Sequence, residues 1–151
     1  MLFSHPHRET GLPNWFVHFL VDVADKGVPP LADVTEVLVE LLDVNDMPPV
    51  WFPQSMYSVA VNEDLKPRTS ILQVSATDPD FGSNGFVYYT FDGGNNANGT
   101  FTVDYALGTV RTNAVLDREK TAEYELVVIA VDRGEPSQSS SATISVKVIG
   151  E

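Results

Sequence analysis

Oxygen-bearing side chains crowd into a few short segments of this chain. Asp43-Val44-Asn45-Asp46-Met47-Pro48-Pro49 is one. Asn62-Glu63, Asp78-Pro79-Asp80 with Asn84-Gly85 behind it, Asp117-Arg118-Glu119 and Asp132 are the others. Carboxylates, amides and backbone carbonyls at loop positions are what a hard cation seeks, and calcium takes six to eight such oxygens at about 2.3–2.6 Å. Gathered without a cation, the carboxylates repel one another, so order in such a cluster should require the metal. Pro48 and Pro49 set an extended chain leaving the first segment.

Other chemistries fit these residues less well. Asp78-x-Asp80 opens like an EF-hand loop, but Gly82 stands at the fifth position and Tyr89, not Glu, at the twelfth. Asp117 and Glu119 fall on one side of an extended segment, as a carbohydrate-cleaving acid pair would. No cluster of His, Lys or Tyr accompanies them, and each candidate acid already belongs to a cation motif, so the chain reads as a non-enzyme. His5 and His7 lie in the irregular start and His18 on an outward strand position; solvated histidines are expected there, not a transition-metal site.

Composition narrows the class further. Asp and Glu total 21 against 9 Lys and Arg, a net charge of −12, which makes nucleic acid and anionic membranes poor partners. The absence of cysteine excludes disulfides, thiolate chemistry and Cys-based zinc sites. Met1 to Thr10, MLFSHPHRET, has neither the basic opening nor the apolar run of a signal peptide. No stretch approaches the roughly 20 apolar residues of a membrane span, so targeting and anchoring are expected outside this segment. A hydrophobic fraction of 43% is enough to bury a core.

The elements that must position these loops come from self-comparison. Ala24-Asp25-Lys26-Gly27 recurs 107 residues later as Val131-Asp132-Arg133-Gly134, and Arg8-Glu9 recurs as Arg118-Glu119. Alternating apolar residues precede each Asp-x-Gly turn: Val17, Phe19, Val21, Val23 in one copy and Tyr124, Leu126, Val128, Ala130 in the other. Period 2 with β-branched and aromatic residues predicts a half-buried strand. Ala142, Ile144, Val146 and Val148 predict the strand after the second turn. After the first, residues 34–42 fit both helical and strand spacing; alignment of Leu41-Leu42 with Val148-Ile149 selects strand. Further strands are predicted at 56–61, 71–76, 86–91, 101–104 and 109–111, separated by Gly, Asn, Asp and Pro clusters. Seven short strands in about 100 residues, with no crossover helix, predict an all-β sandwich.

Taken in order, these motifs resemble those of the cadherin repeat. Residues 43–49 look like its linker, Asn62-Glu63 like its early glutamate motif and Asp78-Pro79-Asp80 like its Asp-x-Asp motif. Leu116-Asp117-Arg118-Glu119 and Ala130-Val131-Asp132-Arg133-Gly134 match two further signatures. The resemblance implies a seven-stranded Greek-key, Ig-like sandwich over 47–151. Residues 1–46 would be the last two strands of a preceding repeat, ending in the calcium linker. It also implies Ca2+ at the repeat junction. One site would be complete, from the side chains of Asn45, Asp78, Asp80 and Asp132 and the carbonyls of Met47 and Asn84. Two more would use Asp43, Asp46, the Val44 carbonyl, Asp80 and Glu9, but His7 stands where an Asp is expected and the first repeat's early glutamate is lacking. Glu63, Asp117 and Glu119 would be first-repeat ligands of a following junction, with Gly150 where its linker Asp would fall.

The function so implied is calcium-dependent cell adhesion: ions at the junction stiffen an extracellular rod of a plasma-membrane protein. The expected partners are other cadherin repeats of the parent chain and a cadherin on another cell, with no small-molecule substrate. Trp51 is expected in the core, and Trp15 in the core of the partial repeat. Asn98-Gly99-Thr100 is the sequence's one N-glycosylation sequon.

Overall fold

The structure, a computed structural model, describes residues 5–7 and 15–150. The chain divides into two compact units, Met1–Val44 and Asn45–Glu151, so Asn45 and Asp46 go with the larger one.

In the smaller unit a three-residue strand, β1 (His5–His7), precedes two ten-residue strands, β2 (Trp15–Ala24) and β3 (Ala32–Leu41). β2 and β3 are antiparallel from Trp15↔Leu41 to Ala24↔Ala32, which sets Val17 opposite Val39 and Phe19 opposite Val37. Such cross-strand pairs are what stabilises a ladder. They also explain why the Glu- and Leu-rich run of β3 is strand: pairing along its whole length overrides helix propensity. β1, unforeseen because three residues with a central proline carry no periodicity, pairs with β2 through His5↔His18. β3 is solvent-exposed throughout, as are Val21 and Val23 of β2.

Asp25 closes the β2–β3 turn. Its Oδ1 accepts the N–H groups of Gly27 and Leu31, both at 2.9 Å, and its own N–H donates to the Leu31 carbonyl at 2.9 Å. The Leu31 bond, then the Gly27 bond, holds this carboxyl below its ordinary pKa.

The larger unit continues with β4 (Val50–Trp51), β5 (Met56–Asn62), β6 (Ser70–Gln73), β7 (Ala76–Thr77), β8 (Tyr88–Phe91), β9 (Phe101–Val103), β10 (Thr109–Thr112), β11 (Glu123–Val131) and β12 (Ser139–Ile149), with one 3-10 turn at Asp92–Gly94. One sheet orders β5-β12-β11-β8; the other orders β6-β10-β9, and β4 pairs with β7. β5 and β12 run parallel, from Met56↔Thr143 to Asn62↔Ile149; the remaining pairs are antiparallel. Leu126, Val128 and Ala130 of β11 alternate inward and are buried, as are Ile144, Val146 and Val148 of β12. They share one core with Phe101 and Val110 of the second sheet, where the Phe101 ring meets Tyr124 edge-on at 5.1 Å. This is an Ig-like β-sandwich, the class the strand pattern predicts.

Two strands depart from expectation. The predicted strand 71–76 breaks at Val74, whose N–H turns to the Gly108 carbonyl at 2.9 Å, so β6 and β7 are separate. β4 was not foreseen: two residues between prolines are too few to show alternation. Trp51, half-buried on β4, packs on the core with its ring 5.9 Å from Tyr89, as the core reading requires.

Candidate functional site

Three strand ends meet at one end of the sandwich. Residues 45–47 enter β4, 78–84 leave β7, and Asp132 follows β11. Asp132 is 1% exposed, and its Oδ1 accepts the N–H groups of Gly134 at 3.0 Å and Gln138 at 2.9 Å. The Asp132 N–H donates to the Gln138 carbonyl at 3.0 Å. Shifted by 107 residues, these are the three bonds Asp25 makes with Gly27 and Leu31, so the repeated motif builds the same turn twice.

The linker is bonded onto that turn. Asn45 donates from Nδ2 to the Pro136 carbonyl at 2.7 Å, and its own carbonyl accepts Nε2 of Gln138 at 2.7 Å. Gly134 lies so close that a Cβ there would overlap the Asn45 side chain. On the other flank the Met47 N–H donates to Asp80 Oδ2 at 3.1 Å, and the Asp80 N–H donates to Asp78 Oδ1 at 2.9 Å. The loop then turns back: a Cβ on Gly85 would strike the Asp80 carbonyl, which brings the Asn84–Gly85 peptide against it. Within the larger unit, Asn45 is thus bonded to the Asp132 turn and Met47 to Asp80, which in turn is bonded to Asp78, with the Asn84–Gly85 peptide against the Asp80 carbonyl. Gln138 and Gly134, which hold Asn45 in place, were not foreseen. The repeat could have pointed to the Gln138 backbone through Leu31, but its amide has no counterpart there.

Asn45 Oδ1 and Asp132 Oδ2 are buried and meet no hydrogen-bond donor among the described residues. A buried acceptor left unpaired costs about 1–3 kcal/mol, and more when charged. A cation is the partner that would relieve both, and oxygens from carboxylates, an amide and the main chain suit calcium. Among the described residues no three His, Asp or Glu side chains close into a cage of their own. The Asn45 amide, held against the Asp132 turn at Gly134, adds a neutral oxygen to those of the carboxylates.

Asp46 is exposed; Asp43 and Val44 end the smaller unit, with Val44 67% exposed; Glu9 lies outside the described residues. At the far end of the sandwich Glu63 Oε2 accepts the Arg118 N–H at 3.0 Å, and a Cβ on Gly150 would overlap Glu63 Oε1. A cavity of about 380 Å³ lies there, lined by Asn62, Glu63, Asp64, Ile149 and Gly150. Asp117 pairs with Lys120 at 2.8 Å, and that bond holds its carboxyl below the ordinary range.

The expectation that Asp117 and Glu119 share one side of an extended segment fails. Residues 118–120 form a turn, closed by the Lys120 and Thr121 N–H groups on the Asp117 carbonyl at 3.1 and 2.9 Å. Strands and loops, not helices, flank Asp78, which removes the EF-hand. His18 lies 3.6 Å from Glu36 on the open face of the smaller unit.

Comparison with known proteins points one way. A model of the Cadherin domain matches residues 57–149. Cadherin EGF LAG seven-pass G-type receptor 1 of Mus musculus is 44% identical over 130 residues, 85% of this chain. Receptor 3 of Homo sapiens is 46% identical over 128 residues, again 85% of this chain. In each case the match spans about 4% of the receptor's length. Among solved structures, mouse Cadherin-23 EC22-24 superposes with a TM-score of 0.82 at 31% identity, over 89% of this chain and 42% of that one. Mouse clustered PcdhgC3 EC1-3 gives 0.82 at 26% identity, over 98% and 52%.

Proposed function

This chain belongs to the cadherin family, and on that premise we propose that it is a calcium-stiffened spacer in the extracellular rod of a membrane-anchored adhesion protein. The observation that carries this reading is the pair of buried oxygens, Asn45 Oδ1 and Asp132 Oδ2, left without donors where linker and sandwich are bonded together. Calcium bound there supplies the positive charge those oxygens lack. Asn45, Asp78, Asp80 and Asp132 offer side-chain oxygens; Met47 and Asn84 offer carbonyls. By the Met47 N–H bond to its Oδ2, Asp80 fixes the linker backbone with one oxygen and keeps the other for an ion.

Glu9, Asp43, the Val44 carbonyl and Asp46 belong, on the same reading, to two further ions of the linker. Glu63, Asp117 and Glu119 belong to a following junction. The parent protein would meet other cadherin repeats in its own chain and a cadherin on an opposing cell. This segment would act as a non-enzymatic spacer within it.

The test is thermal unfolding of the larger unit in chelator and in millimolar calcium. Ligand at 100 times its dissociation constant adds about 2.7 kcal/mol, and extracellular modules bind at about 10⁻⁴–10⁻³ M, so a smaller but clear rise in midpoint is expected. Asp80→Ala should abolish most of that rise. A wild-type midpoint indifferent to calcium removes the site.

A further inference from the structure

We propose that Asn98 is an N-glycosylation site whose sugar is attached before the β8–β9 connection folds. Asn98-Gly99-Thr100 occupies a turn in which three successive residues have positive φ: Ala97 at 55°, Asn98 at 55° and Gly99 at 84°. Neighbouring residues hold that turn. Asn96 Oδ1 accepts the Gly99 N–H at 2.8 Å, and Asn113 donates from Nδ2 to the Gly99 carbonyl at 2.9 Å. The Asn113 N–H donates to the Thr100 carbonyl at 2.7 Å, and Phe101, the next residue, is fully buried. The Asn98 side chain takes no part in these bonds and is exposed. A bulky sugar on its nitrogen therefore breaks none of these bonds.

The hydroxyl of the sequon is in a different state. Thr100 Oγ1 donates to the Ala97 carbonyl at 2.6 Å, and the Thr100 N–H donates to the same oxygen at 3.1 Å. A transferase that recognises the Thr hydroxyl beside the acceptor amide finds it engaged once the turn has closed. The reaction belongs to the unfolded, nascent segment. In it Asn98 Nδ2 attacks the anomeric carbon of a lipid-pyrophosphate-linked oligosaccharide. The C–N bond forms as the C–O bond to pyrophosphate breaks, and the amide proton leaves with the lipid pyrophosphate.

The test uses the whole chain behind a secretion leader in a eukaryotic host. The secreted protein should carry one glycan-sized mass, removed by peptide N-glycosidase to leave Asp at position 98. Asn98→Gln should be secreted at bare polypeptide mass, and Thr100→Ser should keep the sugar. A secreted, cooperatively melting wild-type chain at bare mass overturns the site. Timing is read separately, with detergent-opened microsomes and their own lipid-linked donor. Chain translated into intact microsomes should be modified, and pre-folded chain should stay bare. Equal modification of both overturns the order of events.

Discussion

Asn45 and Asp132 meet through a residue with no side chain. Gly134 donates its N–H to Asp132 Oδ1 while its Cα lies against the Asn45 amide. Gly134→Ala should therefore push the linker off the turn. Forced overpacking of this kind costs about 1–3 kcal/mol, so melts should show a lower midpoint and a blunted calcium response. Asp117 allows a second measurement. The ammonium of Lys120 depresses its folded pKa below the unfolded value. The pair's contribution is thus present above the unfolded pKa and fades as pH falls through the folded one. Lys120→Ala should move the Asp117 titration, followed by carboxyl NMR in chelator, up toward the ordinary carboxylate range. An unmoved titration would give the depression to backbone N–H groups instead. Asp132 was legible because its turn repeats Asp25 with β-strand patterning on both sides. Gln138 was not: it acts through a side-chain amide onto a residue 93 positions away, and no local pattern records such a bond.

Strand length decided what could be read among the elements. β11 and β12 bury alternate residues over nine and eleven positions, so their faces were plain in the sequence. β1 and β4, three and two residues long, exist only through their partners β2 and β7. β3 was ambiguous because Glu and Leu favour helix, and only the repeat broke the tie. The β2–β3 ladder leads to a prediction of its own. Val37, Val39 and Leu41 are 38–48% exposed, and a hairpin extended only by the three-residue β1, with these side chains left open, gains little over a lone hairpin, which is marginal in water. Amides of residues 16–25 should exchange far faster than those of 124–132, or the ladder should associate with a second copy. Equal protection in a monomer would mean these valines are covered.

At the scale of the whole molecule, a net charge of −12 opposes any gathering of carboxylates unless cations offset it. On the proposed reading, the one full ligand set falls within one unit, while the further sites would depend on Glu9 and have His7 where an acid is expected. Calorimetry should therefore count nearer one calcium than three; three tight ions would mean that residues 1–14 contribute oxygens not recognised here. One topological feature bears on what such a segment withstands. The linker leads through the two-residue β4 into β5, the sandwich ends on β12, and β5 and β12 lie side by side and parallel from Met56↔Thr143 to Asn62↔Ile149. Tension applied to the two ends of the domain pulls these neighbours in opposite directions along their common axis. Every rung of the ladder is then loaded in shear at once. The strands cannot be peeled apart one rung at a time, so the seam joining entry to exit resists force where a hairpin loaded from one end would unzip.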